Sequence, residues 1–280
     1  MAVLIQSNGS DNKKDYLITI ITKFGEMKAV LYDITPKHKE NFLKLAKEKY
    51  YDSLLFHRVI NHFMIQTGDP DSKGAAPGIL LGNGGPSYTI PAEFNPELIH
   101  EKGAIAAARV GDNLNPKKES SGSQFYIAQG KVFTRDELIR SRIDINQLYK
   151  YFKLYLDKPE NSDLKENIIR FQQEGKMDSI QSLIISKKDV IEKEYSVDVD
   201  NSLNDIQKQK YTAIGGTPHL DGEYSVFGKV IAGLDVIDKI AEVKTDSNNR
   251  PVEDIMIRVS VEEMSKKKIT KLYGYQYPEK

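Results

Sequence analysis

Two runs rich in β-branched and apolar residues open the patterned part of the chain, YLITIIT at Tyr16 to Thr22 and EMKAVLY at Glu26 to Tyr32. Lys23-Phe24-Gly25 separates them, which predicts a hairpin. Thr35-Pro36 then offers an N-cap and a first-turn proline. Phe42, Leu43, Leu45 and Ala46 supply one helical face running to about Lys49. Leu54 to Ile60 and Phe63 to Gln66 predict two further strands. A glycine- and proline-rich stretch follows, GAAPGILLGNGGPSYTIPAEFNP, too long for an idle connection, so it is either functional or tightly packed. Strand-like patterning returns at Gly103 to Arg109 and Ser123 to Ala128, where small residues imply close backbone approach.

The period then changes from two to between three and four. Thr134-Arg-Asp-Glu137 fits a capping box, Ile145, Leu148, Phe152 and Tyr155 share a helical face, and Leu164, Ile168 and Phe171 repeat the pattern. Amphipathic stretches continue to about Lys210. Strand and turn signals resume in residues 215–230, followed by a short helix near Leu234 to Ile240 and a last strand near Ile255 to Val261. The organisation expected is one β domain in two segments, 16–130 and 212–262, with a helical insertion at 131–211 and a basic, aromatic tail at 263–280. The tail is expected to be a solvated terminus that packs a tyrosine or two.

Composition narrows the function. Forty basic and forty acidic residues cancel, so no partner is recruited by bulk charge, which argues against duplex nucleic acid or an anionic membrane. The absence of cysteine removes disulfides, thiolate nucleophiles and cysteine zinc sites. Ala2 to Ile5 is too short an apolar run for a secretory signal, and no stretch approaches the roughly 20 apolar residues that span a bilayer. Cytoplasm stays open, as does periplasm if a signal has been removed.

One segment poses a physical question. FHRVINHFMIQTGDP, residues 56 to 70, sets Arg58 among Phe56, Val59, Ile60, Phe63, Met64 and Ile65, although burying an unpaired guanidinium is expensive. The segment resembles the signature of the cyclophilins, the peptidyl-prolyl cis/trans isomerases, with its Phe-His-Arg strand followed by Phe-Met-x-Gln-x-Gly-Asp. GSQFYIA (122 to 128) and LDGEYSVFGKVIAGLDVIDKI (220 to 240) resemble that family's next blocks in the same order. KTDSNNRPVEDIMI (244 to 257) reads like its closing strand. The resemblance covers about Tyr16 to Ala128 and Gly215 to Val261. The helical insertion has no counterpart in the minimal family domain.

The resemblance implies a mainly β fold: a closed antiparallel cyclophilin-like β-barrel with two capping helices, near Pro36 to Lys49 and Leu234 to Ile240, plus the α-helical insertion. It implies Arg58, Phe63 and Gln66 as the catalytic set. Phe63, Met64, Tyr126 and Leu220 match the proline pocket, with Tyr126 where phenylalanine is more usual. His57, Ala107, Ala108, Arg109 and Gln124 match groove positions, where the backbone of the small-residue strand pairs with an extended peptide. His219 falls at a pocket-edge site that carries tryptophan in some members.

The chemistry agrees with these residue types. An X-Pro bond resists rotation because nitrogen shares its lone pair with the carbonyl, and uncatalysed exchange takes tens to hundreds of seconds. Twisting localises that pair on nitrogen. A catalyst therefore needs a fixed donor aimed at the nitrogen beside an apolar socket for the ring, with no nucleophile and no acid or base in the usual sense, and the activity implied is cofactor-free.

Taken singly, each residue has a plainer reading: Arg58 as a structural ion-pair arginine, and Phe63, Met64 and Leu220 as core. His57, His62 and His219 lack metal-ligand spacing, GNGGPS lacks the ending of a phosphate loop, and DSNNRPVED lacks the alternating oxygens of a calcium loop. The partners expected are proline-containing peptides and unfolded protein clients, met by a monomer. The insertion is expected to lie beside the groove. The alternative is a peptide-binding or chaperone module with little isomerase activity. The Arg58, Phe63, Gln66 set argues against it, because a pure binder has no need of a buried donor.

Overall fold

The structure, a computed structural model, describes residues 13–199 and 203–278. The apolar run Ala2 to Ile5 and the last two residues of the tail lie outside the described residues. The chain divides into two compact units, Met1–Val132 with Ile214–Lys280, and Phe133–Ala213.

In the first unit, β1 (Lys14–Thr22) and β2 (Gly25–Leu31) form the hairpin, with Thr22 paired to Gly25. Helix α1 (Pro36–Lys47) follows and buries Phe42, Leu43, Leu45 and Ala46. Its N-terminus differs from the sequence expectation. Thr35 occupies the cap position, but its hydroxyl donates to the Tyr32 carbonyl (3.3 Å) instead of capping. The free amides of the first turn are taken by the Glu93 carboxylate, which accepts from Lys37 N at 3.1 Å and His38 N at 3.0 Å.

Next come β3 (Arg58–Ile60), β4 (Met64–Thr67), β5 (Thr89–Ile90), β6 (Ala104–Ala107), β7 (Ser120–Ser121) and β8 (Phe125–Ala128). After the second unit, the chain adds β9 (Val226–Ala232), a helix at Leu234–Ala241, β10 (Arg258–Ser265) and a helix at Lys266–Tyr273. Eight of the strands make one antiparallel sheet in the order β10-β1-β2-β9-β6-β8-β4-β3, and β5, in the glycine- and proline-rich stretch, pairs separately with β7, which follows β6.

The expected strands at 54–60 and 255–261 are both displaced, for one reason. Residues 53–56 and 255–257 bond to each other (Phe56 N to Ile255 O, 2.9 Å; Ile257 N to Leu54 O, 2.8 Å), while the regular ladders begin only at Arg58 for β3 and at Arg258 for β10. These bonds bring the two ends of the sheet together, but β3 and β10 share no continuous ladder, so the molecule shows a mostly-sheet unit with helices and no closed ring of paired strands among the described residues.

Alternation sorts the side chains into two layers. Ile105, Ala107, Phe125, Ile127, Ile65 and Val59 face the main core, where Phe42, Tyr51 and Phe125 pack ring against ring. Met64, Ala104, Ala106, Tyr126, Ala128 and Val226 face the opposite side and form a second apolar cluster. The tail is more ordered than its composition predicts. Residues 266–273 are helical, Ile269 is fully buried, and Tyr273, Tyr275 and Tyr277 pack on Leu17 and Met264.

The second unit holds α2 (Arg135–Arg142), α3 (Ile145–Leu156), α4 (Ser162–Gln173), α5 (Met177–Ser186), α6 (Lys188–Tyr195) and α7 (Asp205–Ala213). The capping box forms, Thr134 and Glu137 each taking the other's backbone amide. Leu148, Phe152, Ile168, Ile184 and Ile191 make its core. The helices at 234–241 and 266–273 complete the count as α8 and α9. The chain leaves and re-enters the first unit at one point, since Lys131 and Gly216 exchange backbone bonds of 3.3 and 3.1 Å. Gly130 there has φ +63°, and a Cβ on it would overlap the Gly216 backbone, so only glycine fits.

Candidate active site

Strand register builds the site. Arg58 pairs with Gln66 across β3 and β4, Gln66 with Tyr126 across β4 and β8, and Tyr126 with Ala106 across β8 and β6. These residues stand in one row on the face opposite the main core, and the alanines of β6 leave space above them. The result is a groove of about 290 Å³ lined by His57, Arg58, Phe63, Met64, Gln66, Ala108, Arg109, Tyr126 and Leu220, among others.

A chain of amides fixes the guanidinium. Arg58 Nη1 donates to Gln66 Oε1 (3.2 Å), Gln66 Nε2 donates to Gln124 Oε1 (3.0 Å), and Gln124 Nε2 donates to the carbonyls of Gly82 (2.9 Å) and Gly84 (2.7 Å). Arg58 is half-buried, with the Phe63 ring 5.9 Å from its central carbon. Burial pushes its pKa down from the ordinary value. Among the described residues no carboxylate lies within ion-pair distance of it, so the cation keeps free donors that face the groove.

The pocket floor carries its own polar support. Tyr126 stacks on His100 with ring centroids 5.9 Å apart, and its hydroxyl lies 2.9 Å from His100 Nε2. Asp221 holds the far side of that imidazole, 3.0 Å from Nδ1, and also accepts from the His100 backbone at 2.8 Å. Burial raises the Tyr126 pKa well above its ordinary value, which keeps the hydroxyl protonated. Phe63 stacks on His219 at 5.5 Å.

Three expected residues do not line the groove. Ala107 turns into the main core, Gln124 acts from behind through Gln66, and His219 backs the Phe63 ring. The small-residue strand is not open for peptide pairing either. β6 lies between β8 and β9, and the Ala107 and Ala108 amides are bonded to Ser225 O and Gln124 O. The Arg109 side chain is committed to Glu223, Asp112 and the face of Tyr224, 4.6 Å away.

The groove also contains residues that sequence reading missed: Tyr224, Asn248, Arg250 and the stretch 79–83. Arg250, only 4% exposed, donates to the carbonyls of Ala75 and Ala76 and pairs with Asp254. The Arg-x-x-x-Asp spacing at 250 and 254 was its only sequence signal.

His57 is the electrostatic exception. Its ring is buried with neither nitrogen hydrogen-bonded; Leu55 backbone and Gln124 approach it without reaching bonding geometry. Burial pushes its pKa down to about 4, with Asp69 partly opposing. The ring is therefore neutral at neutral pH. Among the described residues no group of three or more His, Asp or Glu side chains is placed to hold a metal ion, and no helix is long and apolar enough to cross a membrane.

Comparison with known proteins extends these observations. A provisionally named bifunctional phosphatase/peptidyl-prolyl cis-trans isomerase of Streptococcus pyogenes is 31% identical over 86% of this chain, which spans 37% of that relative's length. A provisionally named peptidyl-prolyl cis-trans isomerase of Staphylococcus haemolyticus is 29% identical over 90% of this chain and 93% of its own length. The crystal structure of a cyclophilin type peptidyl-prolyl cis-trans isomerase from Cryptosporidium parvum shares the fold, with a TM-score of 0.51, 21% identity and coverage of 90% of this chain and 99% of that one. The family model of cyclophilin type peptidyl-prolyl cis-trans isomerase/CLD matches residues 17–144 and 153–261, which include every strand of the sheet row and every residue of the Arg58–Gln66–Gln124 relay. A match of that extent, over a groove with a free guanidinium beside an aromatic socket, makes this chain a member of the cyclophilin-type peptidyl-prolyl cis-trans isomerases.

Proposed function

We propose that the groove isomerises X-Pro bonds with Arg58 as the donor to the prolyl nitrogen, Phe63, Met64, Tyr126 and Leu220 as the ring socket, and Gln66 as the residue that fixes the guanidinium. One observation carries this reading: Arg58 is held by a neutral acceptor, Gln66 Oε1, instead of a carboxylate. A carboxylate partner would neutralise the charge, whereas an amide orients it and leaves donors free. As the amide twists, its nitrogen gains an acceptor lone pair that the planar forms lack, so the hydrogen bond strengthens only in the twisted state. His57 stays neutral beside the cation and adds no competing charge.

The peptide backbone pairs at Arg109, whose own N–H and C=O carry no hydrogen bond among the described residues, and not along β6. A closed barrel behind this row belongs to the same reading, and the bonds of Ser53, Leu54 and Phe56 to Ile255 and Ile257 support it. Exposed Leu154, Met177 and Ile206 on the helical unit, 50%, 65% and 68% accessible, suit contact with an unfolded protein client.

A cis/trans assay on a four-residue Ala-Pro peptide tests the reading. The relaxation rate should rise in proportion to protein concentration above the uncatalysed background, and a rate equal to that background at every concentration would overturn it.

A further inference from the structure

We propose that Ile79 and Leu80 form an apolar subsite beside the proline pocket, which receives an aliphatic or aromatic side chain flanking the proline, and that Arg250 positions it. The inference rests on the isomerase reading of the groove. Ile79 and Leu80 are 53% and 67% exposed, yet both line the same groove as Arg58 and Phe63. A single exposed aliphatic residue is ordinary; two adjacent ones continuous with a peptide groove are a recognition feature.

The loop that displays them is fixed on both sides. Before the pair, the Arg250 guanidinium donates to Ala76 O at 2.8 Å and Ala75 O at 3.0 Å, and within it to Ile79 O at 3.4 Å, while Asp254 holds it at 2.8 Å. Beyond the pair, the Gly82 amide donates to the fully buried Asp69 carboxylate, and Gln124 grips the Gly82 and Gly84 carbonyls. Gly82 sits at φ +105°, a conformation open to glycine that turns the chain back over His57.

A buried arginine is costly unless its donors are satisfied, and here loop carbonyls satisfy it. The consequence is a shaped loop whose outward product is an apolar pair. Because Gln124 also holds Gln66, the subsite and the catalytic guanidinium share one hydrogen-bonded frame. An apolar side chain seated on a preformed lip is bound without the entropy of ordering it.

The test uses the full chain and four-residue peptides that carry leucine or serine at each position flanking an Ala-Pro pair. At one of those positions leucine should raise kcat/KM about tenfold over serine, mainly through KM. The double variant Ile79→Ser with Leu80→Ser, both exposed sites, should bring that ratio to about one with an unchanged melting curve. Arg250→Lys should lower the ratio part-way, since an ammonium cannot span the same acceptors. A parent ratio near one at every position, or a ratio that survives the double variant, would overturn the subsite. If no peptide is turned over, the isomerase reading fails instead, and calorimetric Kd values for the same peptides still decide the subsite by whether the leucine preference exists and disappears in the double variant.

Discussion

The Tyr126 hydroxyl lies 2.9 Å from His100 Nε2, and Asp221 faces the other ring nitrogen at 3.0 Å. A carboxylate only accepts, so Nδ1 carries a proton, and in the neutral ring Nε2 accepts from the tyrosine. This arrangement explains how a tyrosine serves at the floor of an apolar socket: its polar end points away from the groove into a satisfied bond. Removing either partner leaves a buried polar atom alone, at a cost of about 1 to 3 kcal/mol. Tyr126→Phe and His100→Phe should therefore each lower stability in denaturant titrations, and the double variant should lose clearly less than the two losses added. Additive losses would show that the two side chains are not coupled.

His57 sets a pH dependence of stability. Its folded pKa, about 4, lies below the ordinary 6.5. Above pH 6.5 both folded and unfolded forms are neutral and the residue contributes nothing. Between 6.5 and about 4 the unfolded chain binds a proton that the folded chain refuses, so stability falls as pH falls, by about 3 kcal/mol in all. His57→Gln should flatten that part of the curve. The same slope from pH 7 to pH 4 in parent and variant would contradict the assignment.

Glu93 caps α1 across 55 residues of sequence, accepting from two backbone amides and from His38 Nδ1 at 2.6 Å. Glu93→Ala strips three donors of their acceptor, and the expected loss is about 1 to 3 kcal/mol, measured by thermal or urea unfolding. Thr35→Val should cost much less, because Thr35 does not cap. A larger loss for Thr35→Val than for Glu93→Ala would reverse the assignment.

The legible parts of the fold are those written in local periods. The hairpin of β1 and β2, the faces of α1 and α3, and the capping box at Thr134 follow from spacing alone, because their stabilising partners lie within a turn or a strand pair. The row Arg58–Gln66–Tyr126 was legible only as motif, since register joins residues from three strands. Contacts that close over long separations left no local trace: Glu93 on α1, Arg250 on residues 75–79, and His100 between Tyr126 and Asp221. The tail misled for another reason. SKKKITKLY is charged overall, and one fully buried residue, Ile269, is enough to anchor α9.

If the Arg58 guanidinium stabilises the twisted amide, Arg58→Ala loses turnover without losing the fold. Arg58 is half-buried and bonded to one neutral side chain, so the fold should survive with its melting curve close to that of the parent. Loss of a single aimed donor should lower kcat/KM on an Ala-Pro peptide by about 10² to 10³. Turnover equal to the parent's, at an unchanged melting curve, would show that the guanidinium does not act on the twisting amide.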